Sequence, residues 1–197
     1  MSYQLYTSFI AFTLVALVTP GPNSLMLLTS GVNYGFRRTI PHILGIVLGF
    51  ALMIFLVGVG LMQIFDIYPV TYDFLKVFSI AYLLYLAWKI AVSTSHCEAE
   101  KSAKPFTFLQ AALFQWVNPK AWAIALAIIS LYTPSRDLVF ISIIFISFVV
   151  MGLPVVSFWA LLGKQMQHIL TNPIRLRTFN ISMAAILVAS LYPVIFF

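Results

Sequence analysis

Six stretches of this chain run apolar on all sides for about the length of a bilayer crossing, and nothing else in the sequence constrains the fold as strongly. They cover about residues 5–30, 40–65, 72–92, 107–132, 138–162 and 178–196. A helix of about 20 apolar residues crosses the roughly 30 Å of membrane hydrocarbon. Surface helices of soluble proteins are apolar on one face, and membrane β-strands alternate residue by residue; these sustained runs do neither. Charged residues make up only 8% of the chain, against about 25% in soluble domains, so it cannot coat itself for water. The sequence predicts an all-α integral membrane protein with six transmembrane helices. The first stretch lacks a basic n-region and a clear cleavage site, and reads as a retained span rather than a signal peptide.

Two of the six stretches are broken by proline. One carries Leu17-Val18-Thr19-Pro20-Gly21-Pro22-Asn23, the other Trp116-Val117-Asn118-Pro119-Lys120. Proline lacks the backbone donor and clashes with the preceding turn, so each helix kinks or splits there. Backbone groups freed inside a bilayer must be satisfied by protein or by a wet cavity. Broken helices at corresponding places in two halves mark the binding site of many secondary transporters. The polar stretch 93–105 divides the chain into repeat one (about 1–92) and repeat two (about 106–197), which together form a single domain over 1–197. Three spans per half force the halves to face opposite ways, which gives two inverted three-helix repeats with broken first and fourth helices.

Basic residues orient the spans. Loops 1–2, 3–4 and 5–6 with their flanks hold eight: Arg37, Arg38, Lys89, Lys101, Lys104, Lys164, Arg175 and Arg177. The opposite side holds two, Lys76 and Arg136, with Lys120 set aside as intramembrane. The excess places the odd-numbered loops in the cytoplasm and both termini outside. The net charge of +6 is therefore topogenic, and dispersal over short loops argues against nucleic acid as a partner. Membrane lipid is the surrounding partner.

At the breaks, Asn118 is a candidate cap for a half-helix starting at Pro119, and Thr19 or Asn23 for one following the first break. Helix N-termini with unpaired N–H groups suit a carboxylate. Lys120 adds a positive charge costing roughly 3 kcal/mol or more at mid-membrane unless it faces a cavity or a counter-charge. Thr19, Pro20, Gly21, Pro22, Asn23, Asn118, Pro119 and Lys120 are the candidate substrate-binding residues. The plainer alternative makes Lys120 a structural lysine bonded to broken backbone carbonyls, and Pro20-Gly21-Pro22 a structural kink.

No carboxylate lies mid-span; Asp66, Asp73 and Asp137 fall at span ends. A coupling proton or other ion therefore has no evident relay residue, and a strongly cationic substrate has no counter-charge. His42, His96 and His168 sit near span ends or in loops without metal-ligand spacing, and the single Cys97 has no disulfide partner. No metal, cofactor or catalytic residue is expected. Gly31–Gly35 and Gly45–Gly49 permit close helix approach, within one protomer or across a homo-oligomer face. Trp88, Tyr82, Tyr85 and Trp159 read as interfacial or packing residues.

In these motifs the chain resembles the LysE/RhtB family of bacterial amino-acid exporters. The features carrying the likeness are Thr19-Pro20-Gly21-Pro22-Asn23, Gly35-Phe36-Arg37-Arg38, Gly45 through Gly49, Tyr82-Leu83-Leu84-Tyr85-Leu86-Ala87-Trp88-Lys89 and Asn118-Pro119-Lys120. The resemblance implies a multi-pass protein of the bacterial inner membrane that exports small amino acids, driven by an ion gradient. Many members carry an acid directly after the last glycine of the second-segment motif, where this chain has Phe50. That departure, with Leu86-Ala87-Trp88-Lys89-Ile90-Ala91, looks more like the cysteine and O-acetylserine exporter branch. The expected function is alternating-access export of small neutral amino acids of the cysteine, O-acetylserine, threonine or homoserine type. A channel would need a continuous polar lining, and a membrane-embedded enzyme a nucleophile beside a base; neither is visible.

Overall fold

The computed structural model describes residues 2–61, 67, 70–92, 105–133 and 137–192, and the regular elements among them are helical. Asp66, His96, Cys97, Lys101, Lys104, Arg136 and the linker 93–104 lie outside the described residues. In chain order the helices are α1 (Tyr3–Val18), α2 (Pro22–Leu56), α3 (Val70–Ala91), α4 (Phe108–Phe114), α5 (Pro119–Tyr132), α6 (Leu138–Met166) and α7 (Pro173–Ala189). A π-helical stretch, Val57–Leu61, continues α2, and a 3-10 turn, Gln115–Val117, continues α4.

α2 is a hairpin rather than a rod. Gly35 has φ 75° and ψ 171°, a conformation essentially confined to glycine. The hydroxyls of Ser30 and Thr39 meet at 2.9 Å, whereas their nine-residue separation would rise about 13.5 Å in a straight helix. Leu27 accordingly packs with Ile43, Ile46 and Val47. Residues 22–34 and 36–56 are thus two arms folded back on each other. A single glycine makes the turn expected between the first two apolar stretches.

Pro22–Gly60 and Leu138–Met166 are each long and apolar enough to cross a membrane, and Phe108–Val117 with Pro119–Tyr132 qualifies as a pair bent by 72°. Because the first of these is folded at Gly35, its length is shared between two arms. Residues 36–56 alone reach about 31 Å.

Glycines set how closely the helices approach. A Cβ on Gly31 would lie 2.2 Å from the Ala160 carbonyl, and one on Gly163 2.2 Å from that of Leu28, so the first arm of α2 and α6 touch backbone to backbone. Gly45 and Gly49 let the second arm close on Phe108, Ala111 and Ala112 of α4 in the same way. The small-residue pairs therefore pack inside the chain, except Gly35, which turns it.

Polar side chains are buried among the apolar packing clusters, and large apolar ones face outward. Asn33, Asn180, Thr39, His42, Gln115 and Asn118 are buried, while Leu44, Leu48 and Leu52 form an exposed stripe along α2 and Ile146, Val150 and Phe158 lie exposed on α6. Apolar exposure on this scale is foreign to a water-soluble monomer and suits a lipid surround.

Helix ends gather in two groups. At one end the Gln167 amide donates to the Val32 carbonyl beside the Gly35 turn, and Lys89 lies over Phe106. At the other, Tyr6 bonds Ser147, Phe9 packs on Tyr132, and Gly58 meets Ile129 and Ile141. The first end carries Arg37, Arg38, Lys89 and Lys164, the flanks of the odd-numbered loops.

Candidate functional site

Both proline breaks come together between the two groups of helix ends. Counting about 1.5 Å per residue, α1 and α5 each run roughly 20–24 Å from the break to one end, and residues 22–34 about 20 Å to the other. The breaks sit near the middle of the molecule's height.

Each break restarts a helix at proline. Pro22 and Pro119 both occupy the first helical position, where the missing N–H is not needed. Their caps differ. Asn118, which is buried, accepts the Lys120 backbone N–H on its Oδ1 at 3.1 Å, as expected of an Asn-Pro start. Its carbonyl also accepts the N–H groups of Ala121 and Trp122. The N-terminus of α5 is therefore satisfied internally. The first break behaves otherwise: neither Thr19 nor Asn23 caps α2. Gly21 is the cap residue and supplies no side chain, while the Thr19 hydroxyl donates back to the Val15 carbonyl at 2.6 Å. The Gly21 carbonyl accepts from Leu25, which leaves the N–H groups of Asn23 and Ser24 without an acceptor in their own helix. Of the two proline starts, that of α2 is the one with backbone donors its own helix does not use.

Two links hold the breaks together. The Lys120 amine donates to the Thr19 carbonyl at 2.6 Å and lies 3.4 Å from that of Pro20, bridging one hundred residues of sequence. Asn23 and Gln115 form a reciprocal amide pair: Asn23 Nδ2 donates to Gln115 Oε1 at 2.8 Å, and Gln115 Nε2 to Asn23 Oδ1 at 3.2 Å. Gln115 Nε2 also donates to the Ala111 carbonyl, so this fully buried amide is anchored on both sides. Gly21 makes room for the lysine; a Cβ there would lie 2.7 Å from Lys120 Cδ.

A cavity of about 30 Å³ lies at this junction, edged by Gly21, Asn23, Ser24, Asn118 and Lys120. That volume takes a water or two and no amino acid. Phe50 and Trp159 form part of its apolar wall. Phe50 is buried against Phe148, with ring centroids 4.8 Å apart, and the Trp159 Nε1 is buried with no hydrogen-bond partner among the described residues. Thr19, Pro20, Pro22 and Pro119 shape the breaks without lining the cavity. The residues that sequence reasoning missed are Gln115, Ser24 and Trp159. An amide three residues before Asn118-Pro119-Lys120, inside an apolar stretch, was the available signal for Gln115. Trp159 belongs to the cavity wall rather than to a membrane interface.

Asp137 caps α6 by accepting the Val139 N–H, so it is engaged away from the junction. The Asp73 side chain and Asp66 lie outside what the structure describes.

The arrangement offers an amine, two backbone donors and small polar side chains at a point where two halves of the chain meet, a donor-rich setting matched to an anion such as a carboxylate. Comparison with known proteins agrees with a transport role. The sequence model of the family described as "LysE type translocator" matches residues 14–190. Proteins named "Cysteine/O-acetylserine efflux protein" from Escherichia coli (strain K12) and Shigella sonnei (strain Ss046) are each 34% identical over 120 residues. A third of that name, from Escherichia coli O1:K1 / APEC, is 33% identical over 120 residues. In each case the match spans 61% of this chain and 61% of the relative's length. No solved structure matches the chain.

Proposed function

The chain belongs to the LysE-type translocator family, and on that premise we propose that it is a secondary-active exporter of small neutral amino acids or their derivatives, working by alternating access. The substrates are of the cysteine, O-acetylserine, threonine or homoserine type. The protein crosses the bacterial inner membrane six times as two inverted three-helix repeats within one domain, with both termini outside, and couples export to an ion gradient. Thr19, Pro20, Gly21, Pro22, Asn23, Asn118, Pro119 and Lys120 form the substrate site. The repeat reading is supported by the paired proline starts at Pro22 and Pro119 and by the packing of α3 on α7, which stand at corresponding places in the two halves. The named substrates rest on the relatives' names and on the scarcity of intramembrane acids.

The observation that carries this reading is the Lys120 amine held by carbonyls of the other break. The same geometry suits a purely structural lysine, and the two readings diverge once a solute arrives. A carboxylate attracts an ammonium more strongly than a neutral carbonyl does, because both partners are then charged. A substrate that captures the amine, and takes the N–H groups of Asn23 and Ser24 with its second oxygen, dissolves one of the two ties between the breaks. Binding thereby favours the separated arrangement, as differential affinity for two states requires.

The test is transport by purified protein in liposomes, with a panel of labelled amino acids and imposed pH gradients. Lys120→Ala loses a charge-assisted contact worth roughly 1.5–3 kcal/mol, so transport falls at least about tenfold while the protein still elutes as a single species in detergent. Neutral amino acids are carried and arginine poorly. Unchanged kinetics in Lys120→Ala, or export of arginine alone, would defeat this assignment.

A further inference from the structure

A second cavity, about 60 Å³ and twice the size of the one at the breaks, lies between the two arms of α2, the C-terminal end of α3 and the start of α4. Its wall contains a group of buried polar atoms that the break site does not use. His42 is 1% exposed, and neither ring nitrogen has a hydrogen-bond partner among the described residues. The hydroxyl of Thr29, itself 6% exposed, is likewise unpartnered. Buried polar groups in native proteins are nearly always bonded, so three unpaired atoms lining one cavity call for an occupant. Ser30 and Asn33 complete the polar wall, but both are held by bonds of their own, Ser30 to Thr39 and Asn33 to the Thr29 carbonyl and Asn180. His42 is fixed by stacking on Phe106 at 5.1 Å between centroids, and the exposed Lys89 stands at the rim with its amine 5.5 Å above the same ring. No carboxylate is among the described lining residues.

We propose that this cavity is part of a second solute site, a vestibule on the cytoplasmic side that seats the charged head of a small zwitterionic amino acid before the breaks open. Its volume of about 60 Å³ has room for such a head or a few waters and not for the whole solute. The Lys89 ammonium receives the solute's carboxylate. A neutral imidazole offers one lone pair and one N–H, and a threonine hydroxyl both donates and accepts, so His42 and Thr29 match an α-ammonium or a polar side-chain group. Thr29 and Ser24 lie five residues apart on one arm of α2, an axial step of about 7.5 Å, so the two cavities are near neighbours along that arm. The identity of the solute and the side it arrives from rest on the export reading above; the existence of the site does not.

Binding of radiolabelled O-acetyl-L-serine to the purified full-length protein tests it, measured in the Lys120→Ala background so that the break site is silenced. That background retains saturable binding. Adding Thr29→Val, which is nearly isosteric, or Lys89→Gln weakens the binding by about tenfold or more. In an otherwise native chain in oriented liposomes, the same two changes raise KM for solute supplied from the cytoplasmic face and leave KM from the opposite face alone. His42→Phe keeps the ring and its stacking; Thr29→Val and Lys89→Gln carry the test if that variant does not fold. Loss of all binding in Lys120→Ala, or unchanged affinity in both variants, overturns the vestibule and leaves the cavity as a place for water only. Normal transport by Lys120→Ala would overturn the break site instead, while vestibule binding sensitive to Thr29 and Lys89 would stand.

Discussion

The Asn23–Gln115 pair provides a measurable value for how firmly the two halves are held. Four proteins are needed: the native chain, Asn23→Ala, Gln115→Ala and the double variant. The pair contains two hydrogen bonds across the breaks, at 2.8 and 3.2 Å. Soluble-protein averages of about 0.5–1.5 kcal/mol per bond would give a coupling of up to about 3 kcal/mol. Interhelical bonds within membranes average nearer 0.6 kcal/mol, because the unfolded helices also find partners there, so the expected coupling is about 1.2 kcal/mol. The bond from Gln115 to the Ala111 carbonyl is lost whenever Gln115 is replaced and cancels from the cycle. The single changes should be unequal: Gln115, fully buried and three times bonded, costs more than Asn23. Reversible unfolding of the four proteins in mixed micelles measures both quantities. A coupling within about 0.3 kcal/mol of zero is the additivity expected of independent sites, and would show that the amides do not hold the halves together.

Two further outcomes follow from the packing and the charge pattern. Gly163→Ala sets a methyl 2.2 Å from the Leu28 carbonyl and costs roughly 3 kcal/mol or more, whereas Gly152→Ala meets nothing nearer than Val47 at 3.4 Å and is neutral or mildly stabilising; fluorescence-detected size exclusion after heating separates the two. Cysteines introduced at Ser2 and Ser135 in a Cys97→Ser background react with a membrane-impermeant thiol reagent applied to intact cells, while Cys97 in the native chain does not; the reverse pattern inverts the proposed orientation.

The sequence made the breaks legible because proline has few places in a helix. Pro22 and Pro119 both begin helices, and Asn118 caps as its position before proline predicts. The first break departed from expectation through a competition that local sequence does not contain. Asn23 would have made an acceptable cap, but its amide is taken by Gln115, ninety-two residues away, and Gly21 takes the cap position with no side chain. His42 reads as a residue near a span end because the second apolar stretch begins at about residue 40, yet the Gly35 hairpin brings the first arm alongside and His42 is buried. Trp159, which reads as interfacial or packing, takes a packing place in the cavity wall, since aromatic belts and cavity walls use one residue type. What a side chain faces depends on which helices approach it. For Lys120, the sequence poses the problem of an intramembrane charge and offers broken backbone carbonyls as one answer; the assembled structure identifies them as those of Thr19 and Pro20 in the other break.

The backbone contact between the first arm of α2 and α6 has a mechanical consequence. Most helix pairs meet through side chains that change rotamer and tolerate sliding. Gly31 and Gly163 leave none at this contact, only peptide groups against peptide groups. Such surfaces have no slack, because dispersion attraction falls steeply over half an ångström of separation. These two helices therefore behave as one rigid strut throughout any working cycle. On the alternating-access proposal, displacement falls where the chain is already interrupted beside the proposed site, between Val18 and Pro22 and around Asn118. The hinge and the place where a solute would be held are then the same few residues.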